Sequence, residues 1–324
     1  MRVAGIDCGT NSIRLLIADV PGKNGPLDDV VRRMEVVRLG QGVDQTGRFA
    51  DEALERTFAM IDEYALQIRE VGVESLRFAA TSATRDAANR QVFIDGVRKR
   101  LGVELQVLSG EQEAAASFSG AISVMADDAP SPLVAVDLGG GSTELVLGTA
   151  DGEILGSYSM DVGCVRMRER HLHSDAPAAD EVARARADVD AALDIAEQHV
   201  DLGAARGLIG LAGTVTTLTA YALGLEEYDA SAIHGTMLGV AETDDVCEWF
   251  IQAPAAERAA LGFMHPGRVD VIGAGALVWQ QVVRRVALRA REAGHELPGV
   301  VTSEHDILDG LALWAAREPQ PQRF

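Results

Sequence analysis

Apolar and polar positions along the chain keep two rhythms, and the rhythms alternate. Residues 3–8 and 13–20 are near-continuous apolar runs around the polar stretch CGTN, which predicts two strands joined by a tight turn. A further apolar, β-branched run over 30–39 predicts another strand. Leu54, Phe58, Ile61, Ala65 and Ile68 then recur at helical spacing, so 51–70 reads as an amphipathic helix. Residues 76–80 read as a strand, followed by a polar loop and a helix start, and VELQVLSG as one more strand. Ser109 with Gln112 three residues on is a capping-box pattern that opens the next helix. Acids and prolines at 127–132 break the rhythm and mark a domain boundary.

Past that break the pattern restarts. Residues 134–147, VAVDLGGGSTELVL, predict two strands around a glycine turn, and 154–167 is strand-like again. SDAPAAD reads as a loop and 178–200 as an Ala-rich acidic helix. Residues 205–224 read as a strand, a Gly-Thr turn and a helix; helices near 240–252, 270–292 and 304–317 close the chain. The two halves share more than rhythm. Shifted by 130 positions, Asp7 falls on Asp137, Gly9 on Gly139, Ser12 on Ser142 and Arg14 on Glu144. Apolar–Asp–x–Gly–x–x–Ser–x–x–apolar is thus written twice, each time at the head of a half-chain. That is duplication at domain scale, and the alternation of strands and helices implies an α/β fold.

The repeated turn suits phosphate. Glycines let backbone N–H groups approach an anion, and hydroxyls add donors. An Asp closing the first strand can hold a hydrated divalent cation, because Mg²⁺ favours a few carboxylates together with water and phosphate. Two such turns facing each other across a cleft would grip a phosphate from both sides. Neither turn is G-x-G-x-x-G, and no G-x-x-x-x-G-K-[ST] occurs, which speaks against dinucleotide and P-loop readings.

Composition narrows the partners. With 29 Lys and Arg against 49 Asp and Glu, the net charge is −20, which repels nucleic acid and anionic membranes at long range. An anionic substrate then needs a local cationic site or a metal. Cys8, Cys164 and Cys247 are odd in number and lack C-x-x-C spacing, so neither a disulfide framework nor a structural zinc site is expected. His171 and His173 alternate without a carboxylate at ligand spacing, a weak metal signal. No signal peptide and no run of about 18 apolar residues is evident, so a cytoplasmic protein with no membrane and no nucleic acid partner is the expectation. Only the terminal REPQPQRF reads as non-globular.

The two turns resemble the phosphate loops of the actin-like ATPase, sugar kinase and Hsp70 superfamily. More narrowly, DCGTNSIRLLIADV, ATSATRDAAN, LSGEQEA, VDLGGGSTELV, DVGCVRM, GLAGTVTTLTA and HPGRVDVIGAGALV resemble, in order, the motifs of the exopolyphosphatase / guanosine pentaphosphate phosphatase family. The resemblance implies two duplicated actin-like (ribonuclease H-like) domains, with mixed sheets flanked by helices and a cleft between them. They would span 1–126 and 133–303, with the helix at about 304–318 a candidate to pack back on the first. It also implies release of orthophosphate from the end of inorganic polyphosphate, with hydrolysis of guanosine pentaphosphate as the near alternative. Mg²⁺ or Mn²⁺ is the implied cofactor, a monovalent cation a further candidate, and a homodimer the expected assembly.

Residue by residue, Glu113 matches the family's general base, with Glu111 as runner-up. Asp137 is the foremost metal- or water-positioning carboxylate, joined by Asp7 and Glu144 as metal candidates. Gly139, Gly140, Gly141, Ser142 and Thr143 would donate to phosphate from one side, and Thr10, Asn11 and Ser12 from the other. Arg85 matches the family's phosphate-binding arginine, and Arg14, Gly213 and Thr214 are further candidates, with Arg268 able to serve the phosphate chain or pair with Asp270. One departure stands out. In SEHDILDG, Leu308 and Asp309 occupy the place of an expected Arg-acid pair, and the lost cation motivates a rival reading: a non-catalytic sensor that binds polyphosphate or guanosine tetraphosphate.

Overall fold

The apolar runs at the head of the chain become a hairpin. Strands β1 (Arg2–Cys8) and β2 (Ser12–Asp19) pair antiparallel from Arg2↔Asp19 to Cys8↔Ile13, and β3 (Asp28–Val36) extends the sheet beyond β2. After the short α1 (Val43–Thr46), helix α2 (Asp51–Val71) buries Leu54, Ile61, Ala65 and Ile68, the face its spacing predicts, with Phe58 partly covered beside them. The chain continues through β4 (Ser75–Ala80), α3 (Ser82–Asp86), α4 (Arg90–Leu101), β5 (Leu105–Val107) and α5 (Gly110–Ile122). Strands β1, β4 and β5 run parallel, so the sheet order is β3-β2-β1-β4-β5. The capping box at Ser109 forms as the sequence predicts: its hydroxyl accepts from the Gln112 N–H while the Gln112 side chain accepts from the Ser109 N–H.

This computed structural model describes residues 1–22, 26–123 and 130–319. The chain divides into two compact units, Met1–Ser123 with His305–Phe324, and Val124–Glu304. The predicted break at 127–132 falls partly outside the described residues, and so does the terminal REPQPQRF.

The second unit repeats the plan. Antiparallel β6 (Leu133–Leu138), β7 (Thr143–Gly148) and β8 (Ile154–Met160) lead into α6 (Cys164–Arg170), α7 (Ala179–Ala196), β9 (Gly207–Leu211) and α8 (Ala212–Ala222). Then come α9 (Ala230–Ile233), β10 (Met237–Leu238), α10 (Val240–Gln252), α11 (Ala255–Ala259), α12 (Ile272–Glu292) and β11 (Val300–Thr302). The sheet order is β10-β11-β9-β6-β7-β8, which read from β8 is the first sheet's order with one short strand added. Trp279 of α12, fully buried, anchors the core of this unit. The last helix, α13 (Ile307–Arg317), belongs to the first unit, where it packs on α5 and β1.

These are the mixed, helix-flanked sheets of two actin-like, ribonuclease H-like domains. Three local expectations are corrected. Residues 154–167 are not one strand: β8 ends at Met160 and α6 starts at Cys164. The polar loop after β4 contains the helical turn α3, and α8 begins at Ala212, so the supposed Gly-Thr turn is already helix. The short strands β10 and β11, two and three residues long, carry too few positions for periodicity to reveal them.

Candidate active site

In the first unit the parallel strands β1 and β4 end side by side at Cys8↔Ala80, so the Gly9–Ser12 turn lies next to the start of α3. The Gly9 N–H donates to the Ser12 carbonyl at 3.0 Å, and the Thr10 and Ser82 hydroxyls share a hydrogen bond of 3.1 Å. The Leu108 N–H donates to the Ala80 carbonyl, which brings the exit of β5 and the start of α5 to the same edge. That edge is the carboxyl end of the parallel strands, where open α/β sheets bind ligands.

Two charged clusters form there. Asp7 and Arg14 are direct cross-strand partners. Arg14 donates from Nε and Nη2 to Asp7 Oδ2 at 3.1 and 2.7 Å, and from Nη1 to Asp306 Oδ2. Burial pushes the Asp7 carboxyl above its ordinary range, against the pull of Arg14. Its second oxygen, Oδ1, is buried with no partner among the described residues. In the other cluster, Arg85 Nη1 donates to the Leu108 carbonyl at 3.0 Å and to Glu113 Oε2 at 2.5 Å. Glu113 is 7% exposed, whereas Glu111 of the same helical turn faces solvent.

The second unit sets the matching turn between β6 and β7. The Gly139 N–H donates to the Ser142 carbonyl at 3.0 Å, the same bond as Gly9 to Ser12. Asp137 is the direct partner of Glu144, in the register position where the first unit has Asp7 and Arg14. Directly opposed residues of an antiparallel pair project to one face, so two buried carboxylates adjoin here. Ser159 donates to Glu144 Oε1 at 2.7 Å. Thr143 gives its hydroxyl proton to the Val162 carbonyl at 2.6 Å, so it is engaged within the fold. Gly213 sits under Arg268, whose Nη1 lies 3.3 Å from the Gly213 carbonyl; a Cβ on Gly213 would fall 2.2 Å from the guanidinium carbon. Thr214 is buried against Gly275.

Among the described residues no three His, Cys, Asp or Glu side chains gather into a metal-holding group. His171 pairs with Asp188 at 2.8 Å. Within each unit the carboxylates still suit a cation that keeps most of its water: in the second the Asp137–Glu144 pair supplies two carboxylates on one face, and in the first Asp7 has an unpartnered oxygen. Sequence reasoning missed Ser82, although it lies inside the quoted ATSATRDAAN. It also missed Asp306, which meets Arg14 from 292 positions away and leaves no local signal. Next to Leu308, Asp309 is bound bidentately by Arg32 at 2.6 and 3.1 Å and by His305 at 2.8 Å.

Two sheets of one order, the second with one short strand added, each headed by an Asp-x-Gly turn, define an actin-like protein. Residues 16–295 match the Ppx/GppA phosphatase family, and the chain belongs to that family. It is 49% identical over 319 residues to Exopolyphosphatase 2 of Mycobacterium tuberculosis, covering 96% of this chain and 98% of the relative. The crystal structure of an exopolyphosphatase-like protein superposes with a TM-score of 0.94 at 48% identity over 98% of each chain. A Ppx/GppA family member from Aquifex aeolicus superposes with a TM-score of 0.77 at 27% identity, over 97% of each chain. No helix among the described residues is long and apolar enough to cross a membrane.

Proposed function

We propose that this phosphatase is an exopolyphosphatase, which hydrolyses the terminal phosphoanhydride of inorganic polyphosphate. The observation that carries the reading is the buried Glu113 carboxylate held against Arg85 at the edge of the first sheet. Arg85 offers a planar fork to terminal phosphate oxygens. Glu113 takes a proton from water as the water oxygen attacks the terminal phosphorus in line with the departing bridge oxygen. The phosphorus–bridge bond breaks, its electron pair leaves with the shortened chain, and Glu113 returns the proton to solvent. The amides of the Gly139–Ser142 turn donate to phosphate oxygens. In the second unit Asp137 and Glu144 would hold Mg²⁺ or Mn²⁺, which when bound neutralises charge on the non-bridging oxygens, and Asp7 is the candidate metal carboxylate of the first unit. The near-identical length and 49% identity of a relative named exopolyphosphatase support the choice of polyphosphate over guanosine pentaphosphate. A cytoplasmic homodimer is part of the proposal, to be checked by sedimentation.

The test is orthophosphate release. Wild type with polyphosphate and Mg²⁺ should release it, and Glu113→Gln should lower kcat by about 10²–10⁴-fold. Full turnover by Glu113→Gln would remove Glu113 as the base. A higher kcat/KM on guanosine pentaphosphate than on polyphosphate would overturn the substrate assignment, and binding of polyphosphate without release would favour the sensor.

A further inference from the structure

The glycine turn of the second unit does not orient itself. Its three glycine carbonyls point into the segment that follows β8. The Gly139 carbonyl accepts the Cys164 N–H at 3.0 Å. The Gly140 carbonyl accepts the Val165 and Arg166 N–H groups at 2.8 and 3.1 Å. The Gly141 carbonyl accepts Arg166 Nε–H at 2.7 Å. In a trans peptide the C=O and the following N–H point in opposite directions. Three carbonyls turned towards α6 therefore send the N–H groups of Gly140, Gly141 and Ser142 the other way. None of these three N–H groups has an acceptor among the described residues. The result is a backbone nest of the kind that binds anions.

The approach is close enough to be selective. A Cβ on Gly163 would lie 2.6 Å from the Gly140 carbonyl carbon and oxygen, so only glycine lets α6 start there. Arg166 is 9% exposed, with Asp161 at 4.0 Å as a distant counter-charge. The first unit repeats the device from the matching place, the exit of its third strand. There Gly40 N–H donates to the Thr10 carbonyl, and Val37 and Arg38 N–H groups donate to the Asn11 carbonyl at 3.1 and 2.8 Å. Arg38 adopts a left-handed φ of 51° to do so. In the second unit a side chain, Arg166, joins the clamp.

We propose that Arg166 is a positioning residue: by holding the Gly141 carbonyl it fixes the peptide planes of the Gly139–Ser142 turn so that three N–H groups meet phosphate. This rests on the reading that the turn binds phosphate. In this role Arg166 acts through the backbone it holds, and without it the Gly141–Ser142 peptide is free to flip.

The experiment follows amide resonances of ¹⁵N-labelled full-length Glu113→Gln protein during titration with inorganic tripolyphosphate, which that variant should hydrolyse only slowly. Gly140, Gly141 and Ser142 amides should shift on binding. Adding Arg166→Met should weaken the titration at those amides about tenfold or more, while resonances of α2 and α4 stay in place. Unchanged titration in the double variant would overturn the positioning role and leave the phosphate-turn reading intact. No shift of these amides in Glu113→Gln alone would overturn both. If Arg166→Met does not fold, Arg166→Lys keeps the stem and charge but not the Nε–H. Its kcat/KM on tripolyphosphate should then fall about fivefold or more, and wild-type kinetics would overturn the proposal.

Discussion

Arg85 gives one nitrogen to two acceptors, the Leu108 carbonyl and the Glu113 carboxylate, and so ties the proposed phosphate-binding fork to the proposed base. Replacing it should lose more than charge. Arg85→Gln is expected to lower kcat/KM on polyphosphate by about 10²-fold, and loss of only about twofold would show that Arg85 serves the fold alone. Arg14 differs in kind. Two carboxylates, Asp7 and Asp306, already hold it, so its guanidinium is committed before any substrate arrives. The sequence places Arg14 off the core, and it shows that 14 and 144 match. It does not show that one position pairs a cation with its aspartate while the other sets a second carboxylate beside it.

At the scale of elements, α13 is the segment most worth testing. Its N-terminus is a reciprocal box: Asp306 Oδ1 accepts the Leu308 N–H and Asp309 Oδ2 accepts the Asp306 N–H. Burial alone would raise the Asp309 carboxyl, but hydrogen bonds from His305 and Arg32 outweigh it and bring it down to about 2. A carboxyl lowered on folding adds stability above its unfolded value, and that stability is lost as the pH falls through the folded value. Asp309→Asn should therefore cost about 2–4 kcal/mol near neutral pH. In denaturant titrations that gap should narrow from about pH 4 downwards. His305 has the opposite sign. Its hydrogen bond to Asp309 raises the imidazole above 6.5, so its contribution is full below that pH and fades as the pH rises through the folded value. His305→Gln should lie further below wild type at pH 6 than at pH 9. Packing gives a separate test. A Cβ on Gly310 would lie 2.1 Å from the Ala116 carbonyl oxygen, backbone of the helix that carries Glu113. Gly310→Ala should destabilise by about 1–3 kcal/mol, with kcat lowered in the protein that remains folded.

The whole molecule carries a net charge of −20 and acts on a polyanion in the proposed reaction. Long-range repulsion then opposes encounter, and it is screened over about 8–10 Å at moderate ionic strength. Raising monovalent salt at fixed free Mg²⁺ should increase kcat/KM for long polyphosphate in stopped-flow measurements. A steep decrease would mean that local cations such as Arg85 dominate the approach. At this scale the duplication was legible early, because strand–turn–strand spacing is a local property that survives in each copy. The return of α13 to the first unit was only suggested by family resemblance; nothing in ILDGLALWAAR itself says which sheet it covers.

The sequence by itself determined the two hairpins, the amphipathic face of α2, the capping box at Ser109 and the repeated Asp-x-Gly turn. Each follows from residues within one or two turns of one another, where side-chain period and capping chemistry act. Tertiary structure alone decided that Cys164–Arg170 is a helix, because its first amides meet the carbonyls of a turn more than twenty residues earlier. It also decided that Glu113 and not Glu111 is buried, and that Arg14 answers to Asp306. Charge pairing and the direction of a peptide plane depend on groups brought together by the sheet, and no local pattern records which groups those are.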